Sequence, residues 1–384
     1  MSFSGKWCLN DTDWTQIKLQ TGGWHLDCFS SAGGAGNHAC LRFLALIRGT
    51  FCRVELISFG FQAQGDRFMH VARIIDWLVI IGFLLSVAAL YGSAAFLLLR
   101  PFIAPKQIVP KLGLAGVLVL VTAALGLVCM AYAYFIEPYQ LEVTRIPLVL
   151  SDIPVGKPPI RIVQISDLHC DSQARLEKQL PDAVAKQRPD LILFTGDAVN
   201  SLEGYPIFED CIRKIEKIAP TFAVKGDWDF AFPEKDVLHD AGLQMLGQAV
   251  VDVRGTKLSL VGAESGASVR KSLSLAPKDL PTIVLFHNPD ADIITEDDAG
   301  NVDLYVCGHT HGGQIALPIY GALITQSVQG KKYDSGMHRL GKTYVYTNRG
   351  IGMEGHFPRM RFFARPELTV FELTGWNPRM FDSK

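Results

Sequence analysis

The chain has 384 residues, room for one catalytic domain of ordinary size plus an extension. Its 37 Lys and Arg against 38 Asp and Glu leave a net charge of −1, so no nucleic acid or other polyanion is expected as a partner. The apolar content of 48% is high for a purely soluble enzyme, and the excess is local.

Residues 1–68 carry scattered Trp, Gly and four of the eight cysteines, Cys8, Cys28, Cys40 and Cys52, with no sustained period. Two readings stay open: a small disulfide-bonded or metal-bound cap, or a stretch upstream of a true start at Met69. Residues 69–136 then hold two long apolar runs. The first, 74–99, is interrupted by Asp76 near its start, and the second, 112–135, has no charge. Each exceeds the roughly 20 residues needed to cross a bilayer. Buried core helices rarely run this long without a polar face, so two transmembrane helices and a two-pass inner-membrane location are expected. A secretory signal peptide is not, because the first run starts too far into the chain and is too long. Arg100, Lys106 and Lys111 flank the connection, which has no acid. The positive-inside rule puts that connection in the cytoplasm and the catalytic domain outside, an assignment that one reversed charge would undo.

Residues 137–159 read as a linker and 160–384 as the catalytic domain. Strands are expected at 160–165, 191–194, 222–224, 283–286 and 304–306, each a short apolar run. Leu176, Leu180 and Val184 recur every four residues, a helical stripe that Pro181 breaks or restarts. Phe208, Cys211, Ile212, Ile215 and Ala219 mark an amphipathic helix. A hairpin at 250–253 and 257–261 turns on Arg254-Gly255-Thr256. Late strands are expected at 343–347 and 368–373. Strands alternating with helices, then mostly strands, imply an α/β sandwich with helices outside.

Five of these strands end in metal-type donors: Asp167-Leu168-His169, Gly196-Asp197, Gly226-Asp227-Trp228-Asp229, His287-Asn288-Pro289 and Gly308-His309-Thr310-His311-Gly312-Gly313-Gln314. Open α/β sheets place their sites at the carboxyl ends of strands. Asp167 and His169 are two apart, so in an extended segment both side chains project to one side. His309 and His311 repeat that spacing, so one could serve each of two ions, and Asp197 could bridge them. Mixed carboxylate and imidazole donors suit Mn, Fe, Zn, Ni or Co better than Ca or Mg alone. Cys170, Cys211 and Cys307 have no CxxC spacing, so no zinc knuckle is suggested.

In this order and at these intervals, the motifs resemble the calcineurin-like metallophosphoesterase superfamily over about 160–373. The bacterial membrane-associated YkuE/YaeI-like phosphohydrolase branch is the most similar, through His287-Asn288-Pro289-Asp290, the segment 308–314, and Asn348-Arg349-Gly350-Ile351-Gly352 with Arg365-Pro366-Glu367. The resemblance implies a four-layer αββα sandwich with two divalent metal ions at its crest. By motif position, Asp167, His169 and His311 would hold one ion, Asp197 would bridge, and Asp227, His287 and His309 would hold the other. Asp197, Asp227 and His309 are carried over as the catalytic set. Some members of such families cleave the pyrophosphate of UDP-diacylglucosamine, which would need a cytoplasmic domain.

The sequence departs from the pattern at the third motif, where the family usually has Gly-Asn-His. Asp227 can still ligate through oxygen. Trp228 cannot replace the histidine that assists the leaving group, because its indole N–H only donates. His356 is a candidate replacement and otherwise an ordinary loop residue. Asn200 stands where the family often has Asp, at a position that is not usually a ligand. The expected function is therefore a membrane-anchored dimetal phosphoesterase acting on a phosphate mono- or diester, with lipid-linked and cell-envelope phosphates among the substrates its location suggests. The rival readings are a degenerate, non-catalytic metal- or phosphate-binding module and, more weakly, a single-metal amide or ester hydrolase.

Overall fold

A computed structural model describes residues 66–103, 112–265, 268–290, 301–355 and 359–375, together with five backbone strand segments between 15 and 60. The chain divides into two compact units, Met1–Ile74 and Ile75–Lys384. In the first, β1 (Thr15–Thr21), β2 (Trp24–Ala32), β3 (His38–Ile47) and β4 (Thr50–Glu55) form an antiparallel sheet in that order, and β5 (Phe59–Gly60) pairs with β3. The region was expected to lack a period. Its strands are hairpin-linked, and β1 alternates while β2 and β3 carry runs such as Cys28-Phe29-Ser30-Ser31 and Phe43-Leu44-Ala45-Leu46 that break the period. The fate of Cys8, Cys28, Cys40 and Cys52 lies outside the described side chains, as do Lys106 and Lys111.

The second unit begins with α1 (Asp66–Ile103), whose first turns lie in the first unit, and α2 (Leu114–Phe135). Trp77–Ile103 and Leu114–Tyr139 are each long and apolar enough to cross a membrane. Only 6% of either apolar window is buried against the rest of the protein, whereas a core helix is mostly buried. Tyr91 of α1 donates its hydroxyl to Ala123 O of α2 at 3.3 Å and lies over Gly126, where a side chain would collide with it.

Two mixed sheets follow. One runs β10 (Gln244–Met245), β9 (Thr221–Ala223), β8 (Leu191–Phe194), β7 (Ile160–Ile165), β19 (Glu367–Gly375), β6 (Glu142–Leu150). The other runs β11 (Gln248–Val253), β12 (Thr256–Gly262), β13 (Thr282–Leu285), β14 (Leu304–Cys307), β18 (Thr343–Thr347), β17 (Gly336–Leu340). β7 to β10 are mutually parallel, and so are β12, β13, β14 and β18. Strands buried on both faces need near-continuous apolar runs, and β8 (Leu-Ile-Leu-Phe) is one. β15 (Ala316–Leu317) and β16 (Gly321–Ala322) pair as a separate two-stranded ribbon.

The inner faces meet in one apolar layer that includes Ile162, Leu193, Leu260, Leu285, Val306 and Phe371. Outside the first sheet, α3 (Leu180–Gln187), α4 (Tyr205–Ile215) and α5 (Val237–Asp240) cover Val163, Ile192 and Phe194. Outside the second, α6 (Val269–Leu273) and Tyr333 cover Val261, Val284 and Tyr305. This is an α/β sandwich with helices outside two sheets, the layering that the resemblance implied.

Two local expectations are settled. Of the two alternatives at Pro181, the restart holds: Pro181 occupies the first turn of α3, where its missing N–H has no intrahelical partner to lose, and Leu176 precedes the helix. Glu142–Leu150, inside the expected linker, is a strand in parallel register with β19. Ile146, Leu148 and Leu150 turn inward, while Arg145, Pro147 and Val149 turn outward. Pro147 is tolerated because β6 is an edge strand.

Candidate metal centre

Each donor sits just past a strand. Asp167 and His169 follow β7, Asp197 follows β8, Asp227 follows β9, His287 follows β13, and His309 and His311 follow β14. The parallel strands of both sheets end along one crest, so residues up to 144 positions apart converge there. Asp167 Oδ1 is 3.5 Å from His311 Nε2, which is 3.1 Å from His169 Nε2. Asp197 Oδ2 lies 3.5 Å from His169 Nε2 and 3.2 Å from His287 Nε2, so it stands between the two halves. His309 Nδ1 is 3.2 Å from His287 Nε2 and 3.3 Å from Asp227 Oδ2. Three trios emerge: Asp167, His169, His311; Asp227, His287, His309; and Asp167, Asp197, His287. Within each, the donor atoms all lie within 4.8 Å of one another.

The expected route to this convergence was wrong in one respect. Asp167 and His169 do not share a face of an extended segment, because both are left-handed, with φ of 51° and 40°. Asp197, His309 and His311 are left-handed as well. The chain curls at each strand end instead of running on, and the curl of 309–311 sends His309 and His311 to opposite trios.

Close backbone approach explains the glycines. A Cβ on Gly308 would collide with the Asp167 carboxylate, and one on Gly226 with the Asp197 carboxylate and, at 2.7 Å, with His287 Nδ1. Asp229 ties two strand ends together: its carboxylate accepts from the backbone N–H of Asp197, Gly226 and Ala198 at 2.8, 2.8 and 2.9 Å. Asn200, given little weight from sequence, donates its amide to His169 O and Met353 O, both at 3.0 Å, and pins the first motif.

The electrostatics fit a cation. Burial and a nearby His287 charge keep His309 below the usual histidine range, and burial with His169 and Arg361 keeps His311 well below it. Burial pushes His169 down to about 4, although Asp197 opposes it. Three imidazoles are therefore neutral and offer lone pairs. Burial opposes a charge on His287 too, but Asp197 and the neighbouring carboxylates outweigh it and hold a proton there. Asp197 is driven below the carboxylate range by His287 against its burial, while burial and Asp197 push Asp167 up to about 7. Without metal, the cluster gathers protons where positive charge is needed. Burial also raises the thiols of Cys170, Cys211 and Cys307, so no thiolate competes with the nitrogen and oxygen donors.

Two side chains at the crest, Arg361 and Glu354, gave no signal in sequence, and the third motif's Trp228 joins them there. Arg361 is fully buried, with Nη2 3.1 Å from His311 Nδ1 and 3.0 Å from Arg349 O. Trp228 stands edge-on to His169, ring centroids 5.6 Å apart, and its indole N–H donates to Glu354 Oε2 at 3.1 Å. The other Glu354 oxygen accepts from Gln326, whose carbonyl lies 3.4 Å from His309 Nε2. Burial pushes Glu354 up to about 7. His356 lies outside the described residues.

The sequence profile of the calcineurin-like phosphoesterase family matches residues 160–313. YkuE, an uncharacterised metallophosphoesterase of Bacillus subtilis, is 34% identical over 262 residues, 64% of this chain and 90% of that protein. The phosphodiesterase YaeI of Escherichia coli is 33% identical over 256 residues, 63% of this chain and 92% of that protein. The UDP-2,3-diacylglucosamine pyrophosphatase LpxG of Chlamydia muridarum is 25% identical over 305 residues, 62% of this chain and 91% of that protein. With its motifs at the strand ends of a two-sheet sandwich, the chain belongs to the calcineurin-like phosphoesterase family, in the YkuE/YaeI branch.

Proposed function

We propose that this metal-dependent phosphohydrolase holds two divalent ions, one on Asp167, His169 and His311, the other on Asp227, His287 and His309, with Asp197 shared. The convergence of seven donors into overlapping trios is the observation that carries this reading. Such a pair, when bound, lowers the pKa of a water and neutralises phosphoryl oxygens. The chain's own residues set the geometry. His287 Nδ1 lies 2.8 Å from Thr195 O and donates to it, which turns Nε2 toward Asp197. Trp228 N–H donates to Asp197 Oδ1 at 2.8 Å, leaving Oδ2 to face the histidines. The His309 N–H points at Asp167 from 3.1 Å and orients that carboxylate. His309 is only partly buried and Asp227 is exposed, so the second trio forms the open side at which substrate enters.

The substrate is a phosphate mono- or diester. α1 and α2 hold the domain at a bilayer, which makes a lipid-linked or cell-envelope phosphate the substrate class in reach; LpxG, a relative that acts on a lipid-linked pyrophosphate, agrees with this. The test is hydrolysis of p-nitrophenyl phosphate and its bis-ester by the full chain with added Mn. Turnover that a chelator abolishes and Mn restores is expected. Two equivalents of bound metal with no turnover of either ester, or of any phospholipid, would mark a binding module instead.

A further inference from the structure

The last turn of α2 joins the segment that supports the crest. Arg361 N–H donates to Ala133 O at 3.0 Å, and Ala364 N–H donates to the buried Glu137 carboxylate at 2.7 Å. The Tyr132 ring meets Phe362 edge-on, centroids 6.5 Å apart. Between them lies a groove of about 640 Å³, walled by Cys129 and Tyr132 of α2, by Phe362 and Phe363, and by Pro318 of the ribbon turn. Arg349 and Arg365 form its polar end beside Glu137 and Glu142.

We propose that this groove binds one glycerophospholipid, its acyl chain along Cys129, Tyr132, Phe362 and Phe363 and its phosphate on Arg365. The inference rests on the reading that α2 crosses a bilayer. Three observations favour a lipid over other occupants. The apolar wall is the end of a helix of membrane-spanning length, so the groove lies where acyl chains give way to headgroups. The charge allows a phosphate: Glu137 accepts from Ala364 N–H and Glu142 is paired with Arg349 at 3.2 Å, while Arg365 is exposed, makes no ion pair among the described residues and bonds through its side chain to Tyr132, an uncharged partner that a phosphate can replace. A phosphate there gains a charge-assisted hydrogen bond. The rim is apolar and faces outward, with Phe135, Ile136 and Phe363 exposed and Ile319, at the ribbon tip, wholly so. Exposed rings and branched chains beside a membrane helix belong in the interfacial layer. Because one short segment carries both Arg361, which touches His311, and the groove wall at Phe362 to Arg365, an occupant there buttresses the metal centre from the membrane side.

The experiment takes the full chain from membranes in two steps. Carbonate extraction comes first: release of the chain would overturn the bilayer reading itself. If the chain stays, it is purified in detergent, given dioleoylphosphatidylglycerol, and weighed by native mass spectrometry. One lipid that survives activation and persists in excess inorganic phosphate is expected. Arg365→Ala should weaken its retention about tenfold, the loss of one charged phosphate contact, and Phe363→Ala should weaken it as well. Metal content identical to the unmodified chain shows that the variants fold. No retained lipid, displacement by phosphate, or retention in both variants as strong as in the unmodified chain would overturn the groove proposal and leave the bilayer reading standing.

Discussion

Asp167, His169, Asp197, His309 and His311 all hold left-handed backbone, which costs on the order of 1 kcal/mol apiece for a residue with a side chain. The hydrogen bonds between strand ends offset that cost, and Asp229 makes three of them. Asp229→Ala would strand three buried N–H groups, so a loss of about 3–5 kcal/mol in unfolding free energy is expected, read by urea titration. A loss under 1 kcal/mol would show that water replaces the carboxylate. Trp228 tests the chemistry. With no histidine at this position, poor leaving groups lack a proton donor; Trp228→His should raise kcat/KM on alkyl phosphodiesters at least about tenfold and change p-nitrophenyl esters little. Glu354 tests the electrostatics. Its carboxyl titrates near 7 when folded and at about 4.5 when unfolded, so between these values only the folded state binds the proton and stability falls as pH rises. From pH 6 to 8 the metal-free protein should lose roughly 1–1.5 kcal/mol from this group, a slope that Glu354→Gln removes. The donors themselves were legible because each motif follows an apolar run. Arg361 and Glu354 were not, since they reach the crest from loops whose sequence carries no period and no motif.

At the scale of elements, β7, β8, β13 and β14 could be read directly, because strands buried on both faces are near-continuous apolar runs. β6 escaped for the opposite reason: its Glu, Arg and Pro face outward at the sheet edge, and its burial alternates although Ile146 to Leu150 is an unbroken apolar run that Pro147 disguises. It is nonetheless part of the fold. Leu148 and Leu150 fill the layer between the sheets, and all nine residues of β6 pair with β19. A chain beginning at residue 137 should therefore fold as a soluble domain and keep the Glu137–Ala364 bond. A chain beginning at residue 158 loses two buried leucines, about 2–5 kcal/mol each, and uncovers β19. Thermal melts decide: equal midpoints for the two chains would show that β6 is dispensable.

For the molecule as a whole, a family fold with seven convergent candidate donors follows two exposed apolar helices. Composition announced the helices and the motifs announced the family. How seven donors meet needed three dimensions, because their spacing in the chain says nothing about left-handed curls or about two sheets ending on one crest. The most direct test is the metal stoichiometry of the full chain, stripped and reloaded with Mn, beside Asp197→Ala. Two equivalents per chain, falling to one or fewer when the shared carboxylate is removed, is the expected result. A single equivalent in the unmodified chain, or two that survive Asp197→Ala, would contradict a paired centre.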